Sequence, residues 1–251
     1  MSFVVDTWLV FHRQTLLFLR NPLIAVIGVI QPLFYLLFFA PLLRPALGVQ
    51  DQNASYRVFV PGLLVLLAIF AGLFAGMGLI EDARSGVLDR TRVSPVSRLA
   101  MLLGRSMRDV LVILLQAAVL VLLAVPFGLR VPLVNLLLTF LLLALTAIAL
   151  AAFSHGLALR FRSVEAMSPL VNLISQQLLL LSGVLLPLAF APGWLRTIAA
   201  FNPFSYVVEA ARALFAGDWA ARSVVQALII SAVLAVVTTA WASRAYRHDL
   251  R

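Results

Sequence analysis

Apolar residues recur along this chain in six long stretches, at about residues 23–43, 58–80, 109–129, 133–158, 167–187 and 223–243. Each reaches the roughly 20 residues that cross a bilayer as a helix. The pattern predicts an all-α integral membrane protein with six transmembrane helices. Residues 3–20 read differently. Asp6, Arg13, Gln14 and Arg20 fall on one side of a helix, and Val4, Trp8, Phe11, Phe18 and Leu19 on the other. That suits an amphipathic helix lying in the membrane interface. Asn21-Pro22 then breaks it and begins the first span. The expected division is an interfacial helix at 1–22 and one six-span domain at 23–251.

Two connections carry more than turn residues. The stretch 81–109 holds ten charged residues between apolar runs. Gly86 ends the extension of span two, and Val87–Val93 suits a short helix exposing Asp89, Arg90 and Arg92. Ser94-Pro95 reads as N-cap and N1 of a further helix. It turns Leu99, Leu102 and Leu103 to the apolar side and runs through Arg105 and Arg108 into span three. As physics alone, the short helix is either a solvated loop or a handle for a partner protein.

The second connection, 188–221, contains "FNPFSYVVEAARALFAGDW". Asn202 suits an N-cap, Pro203 suits N1 and Gly217 suits C′, which predicts one helix from Pro203 to Ala216. At about 1.5 Å per residue it is too short to cross a hydrocarbon core of ~30 Å. Yet Phe204, Tyr206, Val207, Val208, Leu214 and Phe215 need cover. A shorter helix from Pro192-Gly193 precedes it. The pair is expected to dip in from outside and turn back, with Glu209 and Arg212 paired three residues apart. The alternative is a helix lying flat on the outer surface.

Composition sharpens this picture. The chain is 63% hydrophobic and only 12% charged, with mean hydropathy +1.06. It has no cysteine, which excludes disulfides and thiolate chemistry. All 19 basic residues are arginine. A P-loop needs a lysine on the phosphates, so any ATP must be bound by another chain. The pI near 11.4 is read as arginine facing anionic headgroups, with no nucleic-acid partner. Thirteen arginines fall on the side of the 81–109 loop and six on the other. Positive-inside therefore puts both termini in the cytoplasm. No cleavable leader is visible, since Asp6, Arg13 and Arg20 interrupt the first apolar stretch.

Within the spans, Asn172, Ser175, Gln176, Ser182 and Gly183 share one sector of span five, with Gln177 off it. They are either a pathway stripe or helix–helix glue. Phe34, Tyr35, Phe38, Phe70 and Phe74 line a pocket or pack. Gly72 and Gly76 permit close helix approach, for packing within the chain ahead of dimerisation. His12, His155 and His248 are scattered without metal-ligand spacing, and Ser154-His155 has no evident third partner. No catalytic residue and no metal site are expected.

Two stretches, "SGVLDRTRVSPVSRLAMLLGR" (85–105) and "FNPFSYVVEAARALFAGDW" (201–219), together with the layout, resemble the type 2 ABC-transporter permeases, in particular their daunorubicin-type drug-resistance branch. The resemblance covers essentially the whole chain. It implies a permease dimer, homodimeric or heterodimeric, carrying two P-loop ATPase subunits in the cytoplasmic membrane of a bacterium. ATP and Mg would be bound by the partner, with no cofactor in this chain. It makes Val87, Leu88, Asp89, Arg90, Arg92 and Arg98 the ATPase-coupling residues. Asn172, Ser175, Gln176, Ser182, Phe70 and Phe74 become the substrate pathway. Asn202, Pro203, Phe204, Tyr206, Glu209 and Arg212 become an external re-entrant gate. The implied cargo is amphipathic or hydrophobic: a drug, an antibiotic or a lipid. Rivals are a permease of the same type exporting a lipid-linked glycan and an ion-coupled secondary transporter. The absence of acidic residues at span centres speaks against the latter.

Overall fold

The computed structural model describes the backbone of residues 3–20, 22–47, 52–85, 97–185 and 187–248. Val87, Leu88, Asp89, Arg90 and Arg92 lie outside the described residues, as does the side chain of Arg98. Nine α-helices follow among the described residues: α1 Phe3–Leu19, α2 Pro22–Leu47, α3 Gln52–Arg84, α4 Arg98–Ala124, α5 Leu133–Phe161, α6 Val164–Leu181, α7 Gly193–Ala199, α8 Pro203–Ala216 and α9 Arg222–His248. Short 3₁₀ turns sit at Val125–Phe127 and Leu188–Phe190.

Five of these helices, α3, α4, α5, α6 and α9, are long and apolar enough to cross a membrane. The described side chains of α2 form a shorter apolar stretch, Val26–Phe38. Helix α3 is the hub. Its 33 residues give about 50 Å at 1.5 Å per residue, so one end outruns the hydrocarbon and carries Glu81, Asp82 and Arg84. Phe59, Leu63, Leu64, Ile69 and Leu73 are fully buried along it.

Helix α3 crosses α5 closely because two glycines let it. A Cβ on Gly72 would lie 2.6 Å from Leu150 Cβ, and one on Gly76 would lie 2.3 Å from the Ser154 carbonyl. The Gly76 N–H donates to Ser154 Oγ at 2.9 Å, and that hydroxyl donates to the Leu73 carbonyl. The glycine pair thus serves packing within the chain. On the other side of α5, the ring of Trp241 on α9 lies over Gly156.

Polar contacts group the helix ends. Arg84 pairs with Glu165 at 2.6 Å and Arg105 with Asp82 at 2.7 Å at one end. At the other, Arg57 donates to the Arg130 carbonyl at 2.8 Å and Asn135 to the Leu214 carbonyl at 2.7 Å. The arginine-rich connections therefore share one end, as the sequence pattern expects.

Three expectations need correction. Helix α4 starts at Arg98 and is capped by Ser97, whose Oγ accepts from the Ala100 N–H at 3.2 Å; Ser94 and Pro95, the expected start, lie outside the described residues. Both serines suit the role, and the one at 97 reaches the third amide. Helix α6 ends at Leu181, six residues before the expected end, because Gly183 takes a left-handed φ of 70°. The polar side of α1 does not face water as a unit. Asp6 is 3% exposed and Gln14 8%, while Arg13 and Arg20 are exposed. Asp6, Val10 and Gln14 form one i, i+4 line, and Val10 closes on Gly104 of α4, where a Cβ would lie 2.8 Å from Val10 Cβ. Val4, Trp8, Leu16, Leu17 and Leu19 remain outward.

Candidate functional site

The expected helix pair between α6 and α9 is present and tightly tied. Asn202 caps α8 by accepting from the Phe204 N–H at 3.1 Å, Pro203 stands at N1, and Gly217 ends the helix with φ 103°. The Asn202 amide also donates to the Leu178 carbonyl at 3.3 Å, joining α8 to α6. Ser205 Oγ donates to the Ala199 carbonyl at 2.9 Å, and Tyr206 donates to the Ala200 carbonyl at 3.1 Å, fixing α7 against α8. Phe204, Val207, Val208, Leu214 and Phe215 are all buried. Helix α8 packs on α3, α5 and α9, so its apolar residues are covered by protein.

Arg212 does not pair with Glu209. Its Nε donates to the Val58 carbonyl at 3.1 Å, and one terminal nitrogen donates to the carbonyls of Gly183 and Val184 at 2.8 and 3.0 Å. Carbonyls past a helix end lack intrahelical partners, and Arg212 supplies them while bridging α8, α3 and the turn after α6. Gly62 leaves the room: a Cβ there would lie 2.3 Å from the Val184 carbonyl oxygen. Glu209 stays exposed. A cavity of about 410 Å³ opens beside these residues, lined among others by Ser182, Arg196, Tyr206, Glu209 and Arg212.

The polar stripe of α6 divides. Ser175 and Ser182 are buried and donate to their own helix, to the carbonyls of Val171 and Leu179 at 2.7 and 3.0 Å. Asn172 and Gln176 are exposed, as is Gln177, beside the outward Leu173 and Leu180. The five residues span a wide arc, and packing against the bundle takes the serine edge of it. Phe70 and Phe74 stack at 6.4 Å on α3, half-buried against the core. Phe34 and Phe38 stack at 5.8 Å on the exposed side of α2.

One cluster was not foreseen. Asp109 of α4 and His155 of α5 are both buried, with Nε2 and Oδ2 3.3 Å apart. Arg108 meets the other Asp109 oxygen at 3.0 Å. The partner His155 lacked in the sequence is therefore an aspartate 46 positions upstream. Only the oddity of a polar residue inside an apolar run pointed to it. No group of three or more His, Asp or Glu suited to a metal occurs among the described residues.

A family model for the ABC-2 type transporter matches residues 5–216. The chain belongs to the ABC-2 type transporter family. A daunorubicin resistance ABC transporter permease protein, DrrB1, of Streptomyces coeruleorubidus is 27% identical over 239 residues, covering 94% of this chain and 84% of that protein. A putative transport permease, ycf38, of Cyanophora paradoxa is 29% identical over 217 residues, covering 85% and 75%. A probable doxorubicin resistance permease, DrrC, of Mycobacterium tuberculosis is 24% identical over 248 residues, covering 98% and 90%. As an ABC-2 permease the chain is a multi-pass membrane subunit of the non-catalytic kind, and the family implies an ATPase partner.

Proposed function

We propose that this ABC-2 permease forms the membrane pathway of an ATP-driven exporter for an amphipathic or hydrophobic compound, working as a dimer with two copies of a separate ATPase. Helix α2 is the sixth span: its 26 residues measure about 39 Å at 1.5 Å per residue. The observation that carries the reading is the lateral face of α6. Asn172, Gln176 and Gln177 are exposed there, and amides turned to hydrocarbon are costly. A second copy, with a wet route between the two, relieves that cost. The cavity beside α7 and α8 continues this face toward the end opposite the 81–109 loop. Helices α7 and α8 act there as the outer gate, and residues 87–93 on the cytoplasmic side receive the ATPase. The relatives named for daunorubicin and doxorubicin resistance favour a drug over a lipid-linked glycan as cargo.

The test is purification of the tagged chain from its native membrane, with identification of whatever co-purifies. A P-loop ATPase in stoichiometric amount is expected. Cysteines at Asn172 and Gln176, in a chain with none of its own, should cross-link two differently tagged copies, while one at the buried Ser175 should not. A second reading, ion-coupled transport, is favoured by the buried Asp109–His155 pair. It predicts a lone chain that transports on a proton gradient.

A further inference from the structure

A second cavity, of about 590 Å³, lies where α5 and α9 end together, at the arginine-rich end of the bundle. Its volume is that of a small-ligand site. Gly156, Leu159, Arg160, Arg162, Trp241, Arg244 and Ala245 line it, so among the described residues the lining carries three positive charges and no acidic residue. Two arginines at the C-terminus of a helix complement its dipole. Arg244, in the last turns of α9, meets the end of that helix in the same way, and what joins the three is the cavity they share. Arg162 also holds a left-handed φ of 53°, a conformation that a glycine adopts without the steric cost an arginine bears.

The apolar part of the lining is equally built. A Cβ on Gly156 would lie 2.1 Å from Trp241 Cζ3, so the glycine seats the indole against α5. Phe153 stacks on the same ring at 5.7 Å. Val233, Val237 and Trp241 follow one another at i, i+4 and i+8 on α9, and all three are exposed. This stripe leads along the lipid-facing side of α9 to the tryptophan, and one turn later to Arg244. Tryptophan favours the headgroup level of a bilayer, and basic pockets between spans suit anionic headgroups.

We propose that this cavity binds one anionic phospholipid, with its phosphate among Arg160, Arg162 and Arg244, its glycerol region against Trp241, and an acyl chain along Val237 and Val233. An acidic protein surface would need the charges but not the apolar stripe that continues from them. The assignment requires only that α5 and α9 span the membrane, and it stands apart from what the permease carries.

The full-length chain, reconstituted in phosphatidylcholine vesicles, is titrated with brominated phosphatidylglycerol or with brominated phosphatidylcholine. Quenching of Trp241 is read as the difference between the wild type and Trp241→Phe. Each arginine near an anionic surface contributes about fivefold, so phosphatidylglycerol should quench at least tenfold more effectively than phosphatidylcholine. The combined Arg160→Gln, Arg162→Gln and Arg244→Gln variant should lose that preference. The matching lysine variant should keep most of it, which separates lost charge from lost fold. Inorganic phosphate at millimolar concentration should not relieve the quenching. Equal quenching by the two lipids, a preference that survives the triple glutamine variant, or relief by free phosphate would each overturn the proposal.

Discussion

Arg212 offers a sharp test of how α8 is held, because the structure separates it from Glu209, its expected partner. Arg212→Ala removes three charge-assisted bonds, to the carbonyls of Val58, Gly183 and Val184. A hydrogen bond to a charged group contributes about 1.5–3 kcal/mol. Bonds that share one side chain are not additive, and the guanidinium is only half-buried, so the expected loss is about 3 kcal/mol. For a chain of this size each kcal/mol moves Tm by about 2–4 °C, giving a fall of about 6–12 °C. Glu209→Ala should move Tm by about 2 °C or less, since the side chain is exposed and surface changes usually stay within ±0.5 kcal/mol. Arg212→Lys keeps the charge but loses the fork and should fall between. Gly62→Ala supplies an independent route to the same lesion: its Cβ would press on the Val184 carbonyl from 2.3 Å. Thermal unfolding of the purified variants in detergent, followed by tryptophan fluorescence, reads all four. An Arg212→Ala protein no less stable than Glu209→Ala would refute this bridging role of Arg212.

Asp109→Ala leaves the buried His155 and the partly exposed Arg108 without their carboxylate, at about 1–3 kcal/mol; it should lower Tm beyond Glu165→Ala, whose side chain is 71% exposed. Gly76→Ala forces α3 from α5 and should cost about 1–3 kcal/mol, whereas Gly78→Ala, with nothing within 4 Å of the added carbon, should be neutral or slightly stabilising in the same assay. Arg90→Glu with Arg92→Glu should lower transport-coupled ATP turnover while membrane insertion, read by protease protection, stays intact.

The elements that the sequence disclosed are those set by local chemistry. The boundaries of α8 were legible because Asn202, Pro203 and Gly217 each act on their own turn. The close approach at Gly72 and Gly76 was legible because the absence of a side chain is a property of the position itself. What escaped depends on which elements meet. Asp109 and His155 sit on different helices, and no spacing along the chain couples them. The stripe on α6 was read as one sector, yet an angle does not say which edge the bundle covers, and packing took Ser175 and Ser182. Arg212 had a plausible neighbour at i−3. Backbone carbonyls won: the turn after α6 leaves those of Gly183 and Val184 without intrahelical donors, Gly62 lets that turn come near, and Val58 of α3 offers a third. Asp6 and Gln14 followed the same logic: polarity suggested water, and α4 supplied cover instead.

The central claim is that transport through this permease is driven by ATP bound on another chain. The direct measurement is uptake of fluorescent daunorubicin into sealed inside-out vesicles holding the chain with its co-purified ATPase. Accumulation should require ATP, persist when a protonophore collapses the pH gradient, and vanish when the ATPase is left out. Accumulation by the chain alone on a proton gradient, with ATP having no effect, would contradict the account.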